Sequence, residues 1–460
     1  MTSIVQASSR NDLLRLAVLL ALGLGFLWLY GRQGVQQAWA ARHHNDFKHM
    51  YLGAVLAREG RSPYDREALF ELGRLAGIPT LNPYVYLPFT AQAMMPLAWL
   101  SFPRAADAWF VVNQLLLWAG VLALLSTHPS AESPPLARLA MLVLMAGACG
   151  ASFAFYRTLT AGQLNMVLFA SFAGVFALLA HGHQRSAGVL AAFAALFKVT
   201  PGILIIYFLV SRRWRAAAAM TIAGTLMLAA SVAHIGPRTW LEFLPLARDM
   251  SYGSSTWGDA NTFYRDPFNQ SLNSFLHHVL ADRPGETRAW IDLGPAWANR
   301  LTTLGALAVL TITVGTGLLM NRAKHPQRDD AAPPDPMPPA DRALYAAFVM
   351  ASLLIPSLMW DHYMTIAMAA WGIILLMPPQ PGGLPGSARV ACMMAVALAL
   401  GYPLAHGQPA WREGAGLLMM SARLWPCILL WLVCVVWAWR WHRAAQQATR
   451  VPGPPPESSA

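Results

Sequence analysis

Charge is what this chain has least of. Only 12% of its 460 residues are Asp, Glu, Lys or Arg, about half the share of a soluble globular protein. That is too little for a fully wetted surface and argues against a soluble domain. Cysteine is scarce too: Cys149, Cys392, Cys427 and Cys434 lie in apolar runs, and none forms a CxxC pair. Neither a zinc site nor a disulfide framework follows, so they read as small packing residues. The polar loops expected on the outer face lack HxxH and HExxH patterns, and His43 and His44 are adjacent rather than helically spaced. No metal or other cofactor is therefore expected. No small-residue cleavage site follows the first apolar run, which reads as a retained helix.

What the chain has in quantity is hydrophobic length. Hydrophobic residues make up 56% of it, in recurrent runs of about 20, the length that crosses a bilayer as a helix. Lipid offers the backbone no hydrogen-bond partner, so such runs must be helical. The runs fall near 13–30, 84–101, 105–126, 137–156, 163–181, 186–210, 214–235, 300–321, 343–360, 362–378, 388–404 and 424–441. The expectation is an all-α polytopic membrane protein, with 1–443 a single transmembrane domain of about twelve helices. Two places interrupt the pattern. Lys198 and Pro201 divide 186–210, which is either one broken span or two half-helices. Prolines at 83, 88, 96 and 103 make 84–101 the other doubtful helix.

The formal net charge of +11 could suggest a nucleic-acid partner, but its placement argues otherwise. Basic residues gather at Arg10 and Arg15, at Arg212, Arg213 and Arg215, in 322–328, and at Arg440 and Arg443. The positive-inside rule puts those segments in the cytoplasm. The proline-rich linker 322–342 and the tail 444–460 read as disordered cytoplasmic segments. Polar regions 31–83, 236–299 and 405–422, with the short "WDHY" at 360–363, then share the opposite face. Region 31–83 holds two helices too short to span, expected along the membrane surface. The first buries Phe47, Met50, Tyr51, Ala54, Val55 and Ala57 at helical spacing; the second, Arg66 to Leu75, starts after Pro63 and an Asp65 cap.

Ionisable residues at membrane depth are costly and are functional candidates by default. Lys198 is the clearest, although a lysine can also reach an interface along its own aliphatic stem. Asp46 is next. Asn45 or Asp46 suits a helix cap, yet a carboxylate at the lip of a lipid-facing cavity also suits a general base. His362 in "WDHY" and Asp259, Arg265 and Asp266 in "GDANTFYRDPFNQS" lie on the same expected face. There Arg and His suit a phosphate group.

"NDFKHMYLGAVLAREGRSPYD", "YVYLPFTAQAMMPLAWL", "GQLNMVLFA", "AGVLAAFAALFKVTPGILIIYFLVSRRWR", "NQSLNSFLHHVL" and "WDHY" follow one another between residues 45 and 365. As an ordered set they resemble glycosyltransferase family 87, the polyprenol-phosphate-mannose-dependent mannosyltransferases within the GT-C superfamily. The resemblance implies a GT-C fold with surface helices in the first periplasmic loop. It implies a hexosyltransferase of the bacterial cytoplasmic (inner) membrane, multi-pass and facing the periplasm. The donor would be a polyprenyl-phosphate sugar, mannose or another hexose, and the acceptor a lipid or glycan. Inversion without metal is implied too, with membrane lipids as the other partners and no nucleic acid. Asp46 matches the family's catalytic aspartate, and Lys198 and His362 match basic positions near the donor phosphate. Arg265 joins them because of its basic loop beside the "NQS" match. His44, Asn45, Tyr51, Tyr86, Gln163, Asn165, Asn269 and Gln270 are candidate donor or acceptor contacts. Met50 beside Tyr51 departs from the family, where a second aromatic is common.

A reading from another class also stands. A broken helix at Lys198–Pro201 is the kind of discontinuity that marks transporter sites, so a lipid or solute transporter without sugar transfer is the alternative. The long first outward loop, and the lack of a matching broken segment elsewhere, favour the enzyme.

Overall fold

In the computed structural model of the chain, residues 10–43, 46–78, 82–127, 135–250, 252, 266–283, 285–322, 335–378, 386–404 and 407–450 are described. Among them every regular element is helical, and strand-like pairing is limited to two isolated bridges, Asn269 with Trp360 and Arg283 with Thr287. Five described helices are long and apolar enough to cross a membrane: Ala17–Ala41, Phe102–Leu125, Trp214–Ile235, Pro295–Asn321 and Leu424–Gln447. Arg138–Gly150 and Phe153–Ala161, bent by 54°, make a sixth if counted as one span. Shorter apolar helices, such as Asn165–Ala180 and Gln184–Phe197, complete the bundle.

Among the described residues twelve full-length helices do not appear, and the reasons are local. The run 84–101 becomes an extended stretch, a seven-residue helix Pro88–Met94 and a 3-10 turn Met95–Trp99. Pro88 opens the first piece and Pro96 lies in the second, where a missing N–H costs least. The run 186–210 stops at Phe197: Lys198 is extended (φ −154°, ψ 135°) before a 3-10 turn Thr200–Ile203 and a short helix Leu204–Val210. The first helix does the opposite and runs on through a π-helical stretch, Tyr30–Gln37, to Ala38–Ala41.

Two helices form the centre. Pro339–Leu354 is buried from Ala343 to Leu354 and Met364–Leu376 is buried throughout, so both are apolar on every face, as central helices must be. Tyr207, Tyr345, Phe348, Phe172, Phe176 and Trp371 fill the space around them. At one end Arg213 and Asp341 form a buried ion pair, which the Tyr207 hydroxyl joins at 3.2 Å.

The two helices expected in the first polar region are present as Phe47–Arg58 and Arg66–Leu75. Asp65 caps the second, its Oδ1 accepting from Ala68 N–H at 2.9 Å. The first is buried at Phe47 and from His49 to Ala57. It is wedged between neighbouring segments and offers no apolar stripe to a surface. Gly53 permits this, since a Cβ there would stand 2.4 Å from the Tyr84 ring. The terminal helix runs Leu424–Arg450, so 444–450 is helical rather than disordered. "AAQQATR" consists largely of good helix formers.

Candidate active site

A cavity of about 730 Å³ opens where the helices are interrupted. Its walls include Asp46 and His49 at the first buried helix, Pro83 and Val85 to Leu87, Arg157, Gln163, the break from Phe197 to Thr200, Asp266 to Phe268, Arg283 and Glu286, and 356–358 with 360–363. Prolines 83, 267 and 356 stand in this lining. They keep the backbone irregular there, and irregular backbone is tolerated at membrane depth only where it faces protein or a water-filled space.

Asp46 is the N-cap residue of Phe47–Arg58, but its side chain makes no capping hydrogen bond. Its Oδ2 instead receives Gln163 Nε2 at 3.4 Å, and Gln163 Oε1 receives the Tyr86 hydroxyl at 2.9 Å. Gln163 is delivered by a left-handed turn at Gly162 (φ 66°), which ends the helix Phe153–Ala161. His49 ties the backbone at Asp46 to that at Asn82. Its Nε2 accepts the Asn82 N–H at 3.2 Å, so the proton sits on Nδ1, 3.0 Å from the Asp46 carbonyl oxygen. Burial holds His49 below its ordinary 6.5, although the nearby Asp46 opposes this.

Basic residues line the cavity too. Lys198 Nζ lies 3.4 Å from the centroid of the Tyr363 ring. His362 Nδ1 lies 3.2 Å from Asp361 Oδ1, while its buried Nε2 has no partner among the described residues. Arg157 Nε donates to Asp361 Oδ2 at 3.2 Å. The other acids are engaged differently: Glu286 pairs with Arg283 at 2.6 Å, and Asp266 accepts the Phe268 N–H at 2.8 Å. Burial pushes Asp266 up, and the charge of Asp361 adds to this. Among the described residues no three His, Cys, Asp or Glu side chains group as metal ligands would.

The structure thus brings Asp46, Lys198, His362, Tyr86 and Gln163 to one cavity. Four other candidates lie behind its walls. Tyr51 packs on Phe102 and donates to Leu100 O at 2.8 Å. Asn165 Nδ2 donates to His362 O at 3.3 Å. Asn269 accepts the Met359 N–H at 3.0 Å and bridges to Trp360. Gln270 donates to Met420 O at 2.8 Å and accepts the Arg423 N–H at 3.0 Å. Arg265, His44 and Asn45, with Asp259, lie outside the described residues.

Sequence reasoning passed over Arg157, Asp361 and His49. Arg157 carried a usable signal, as a lone ionisable residue between two apolar runs, the argument that singled out Lys198. Asp361 and His49 carried none by spacing alone.

A cavity lined by an acid and by basic residues can take a proton from a hydroxyl and receive an anionic leaving group. No curated protein and no solved structure matches the chain. A family model, glycosyltransferase family 87, matches residues 84–333, more than half of the chain. That range holds Tyr86, Arg157, Gln163 and Lys198, while Asp46 and 360–363 lie outside it. The helical membrane architecture and this match agree: the chain belongs to glycosyltransferase family 87 and is a multi-pass membrane glycosyltransferase acting between a sugar donor and an acceptor.

Proposed function

We propose that the protein transfers a hexose, mannose being the family's best-known case, from a polyprenyl phosphate to a lipid or glycan acceptor. The reaction would take place at the periplasmic face of a bacterial inner membrane, with inversion and without metal. The observation that carries this reading is the single cavity lined by Asp46, Lys198 and His362, residues far apart in the chain.

The chemistry follows from the side chains. Asp46 takes the proton of the acceptor hydroxyl as that oxygen attacks the anomeric carbon. The carbon–oxygen bond to the phosphate breaks, and the lipid phosphate leaves as an anion that needs no acid. Lys198, His362 and Arg265 stabilise the growing charge. Asp46 suits the base better than its neighbours do: Asp361 serves Arg157 and His362, Glu286 serves Arg283, and Asp46 is held by a neutral amide. One base and one displacement give inversion, whereas retention needs a second carboxylate as nucleophile about 5 Å from the first. Tyr86, Gln163, His44 and Asn45 are the proposed sugar or acceptor contacts. Tyr51, Asn165, Asn269 and Gln270 act instead through the framework they brace.

Family membership favours this reading over a transporter, and the break at Lys198 then serves to present an ammonium to the cavity. The test is transfer from polyprenyl-phosphate hexoses by reconstituted protein. Asp46→Asn should lose about 10²–10⁴ in turnover while still binding polyprenyl phosphate. Undiminished turnover would remove Asp46 as base.

A further inference from the structure

Asp361 divides its two oxygens between His362 and Arg157. Oδ1 lies 3.2 Å from His362 Nδ1, and Oδ2 accepts Arg157 Nε at 3.2 Å. The carboxylate is 1% exposed, while the Arg157 side chain is 36% exposed and lines the cavity. A buried carboxylate needs such partners, because an unpaired charge away from water is strongly disfavoured.

The arrangement leaves polar groups over. His362 Nε2 is buried with no hydrogen-bond partner among the described residues, Arg157 is engaged through Nε, and Lys198 Nζ stands over the Tyr363 ring. All three residues line the same cavity. Buried polar atoms in folded proteins are nearly always satisfied, so the unpartnered His362 Nε2, sharing a cavity with the Lys198 ammonium and the Arg157 guanidinium, calls for an anion that would hold a second imidazole proton on Nε2. A guanidinium held at Nε still offers its outer edge, which suits two oxygens of a phosphate.

We propose that Arg157 binds the phosphate of the donor together with His362 and Lys198, and that Asp361 is the positioning residue that fixes Arg157 and His362 for that task. The proposal rests on the donor being a lipid phosphate sugar. Asp361 is itself held in place. The carbonyl of His362 accepts from Thr158 Oγ1 at 3.2 Å and from Asn165 Nδ2 at 3.3 Å, and the Asp361 N–H donates to Phe268 O at 3.2 Å. The helix that carries Arg157 therefore also carries Thr158, which clasps the segment containing Asp361. Arginine and carboxylate are brought together by the same two backbones.

The experiment measures binding of polyprenyl monophosphate, the leaving group, to full-length protein in nanodiscs, alongside donor and acceptor KM in the transfer assay. Arg157→Gln and Asp361→Asn should each weaken binding at least about tenfold, the loss expected for a hydrogen bond to a charged group. Donor KM should rise with acceptor KM unchanged, a split that general structural damage would not give. The double variant should be little worse than the poorer single one, since Asp361 acts partly through Arg157. If Asp361→Asn does not fold, Arg157→Gln decides alone, its side chain being partly exposed. Arg157→Gln protein with an unchanged melting temperature and wild-type affinity would overturn the proposal. Wild-type protein that binds no polyprenyl phosphate would instead overturn the donor assignment, and this inference with it.

Discussion

Gln163 Nε2 donates to the carboxylate of Asp46 at 3.4 Å, across 117 residues of chain. The other end of that amide is fixed by the Tyr86 hydroxyl at 2.9 Å, so the direction of the amide is set from outside. Replacing Gln163 with Ala removes the only side chain that orients the proposed base among the described residues. Turnover should fall about tenfold to a hundredfold, the scale on which small misplacements act. Tyr86→Phe should give a smaller loss in the same direction, and the pair should be non-additive. Steady-state kinetics on the two single variants and the double variant checks this.

Lys198 stands at the end of a helix that stops one residue earlier, with its ammonium over the Tyr363 ring. Exchange for Gln keeps length and polarity but removes the charge. We expect a loss of about a hundredfold or more in turnover, in the range found when a transition-state anion loses one donor. Lys198→Arg should recover part of it. Equal rates for Lys198→Gln and wild type would mean that the departing phosphate sits elsewhere.

His49 predicts a pH dependence. Its folded-state affinity for protons is depressed by burial from the ordinary 6.5. The unfolded chain therefore binds more protons at this position, and stability falls as pH drops below 6.5. Above that value the contribution is fully present. Thermal unfolding of the detergent-solubilised protein should thus decline more steeply toward acid for wild type than for His49→Gln. Parallel curves would place the acid-sensitive group elsewhere.

Gln270 does not line the cavity, yet it matters to it. Its amide joins Met420 O to the Arg423 N–H, and its own N–H donates to Met359 O at 2.7 Å. Gln270→Ala takes the side-chain partner from the buried Arg423 N–H and should cost about 2 kcal/mol. The expected readout is a lower melting temperature with nearly unchanged donor and acceptor KM in the protein that remains folded.

The sequence carried some of this clearly and some not at all. The helix Arg66–Leu75 and its Asp65 cap follow from neighbouring residues, and both were legible. Helix count was not, because each interruption depends on what the cavity needs: the chain at Lys198 is extended although its flanks are strongly apolar. The bond between Arg157 and Asp361 spans 204 residues, and no local pattern announces a pairing of that range. Asp46 was singled out, but the cap it seemed suited to is not made. Its carboxylate is turned to Gln163 instead, which only the assembled walls reveal.

The bridge between Asn269 and Trp360 ties the segment after Asp266 to the one before His362, and Gln270 carries the tie onward to Arg423. Arg423 in turn closes on the carbonyls of Leu400 and Tyr402. The residues after Tyr363 supply no proposed reacting group, yet Met420 and Arg423 act as the anchor point of a girdle around the cavity. A protein cut before Met420 should therefore keep every proposed reacting residue and still lose the grip that holds the His362 segment at the cavity wall.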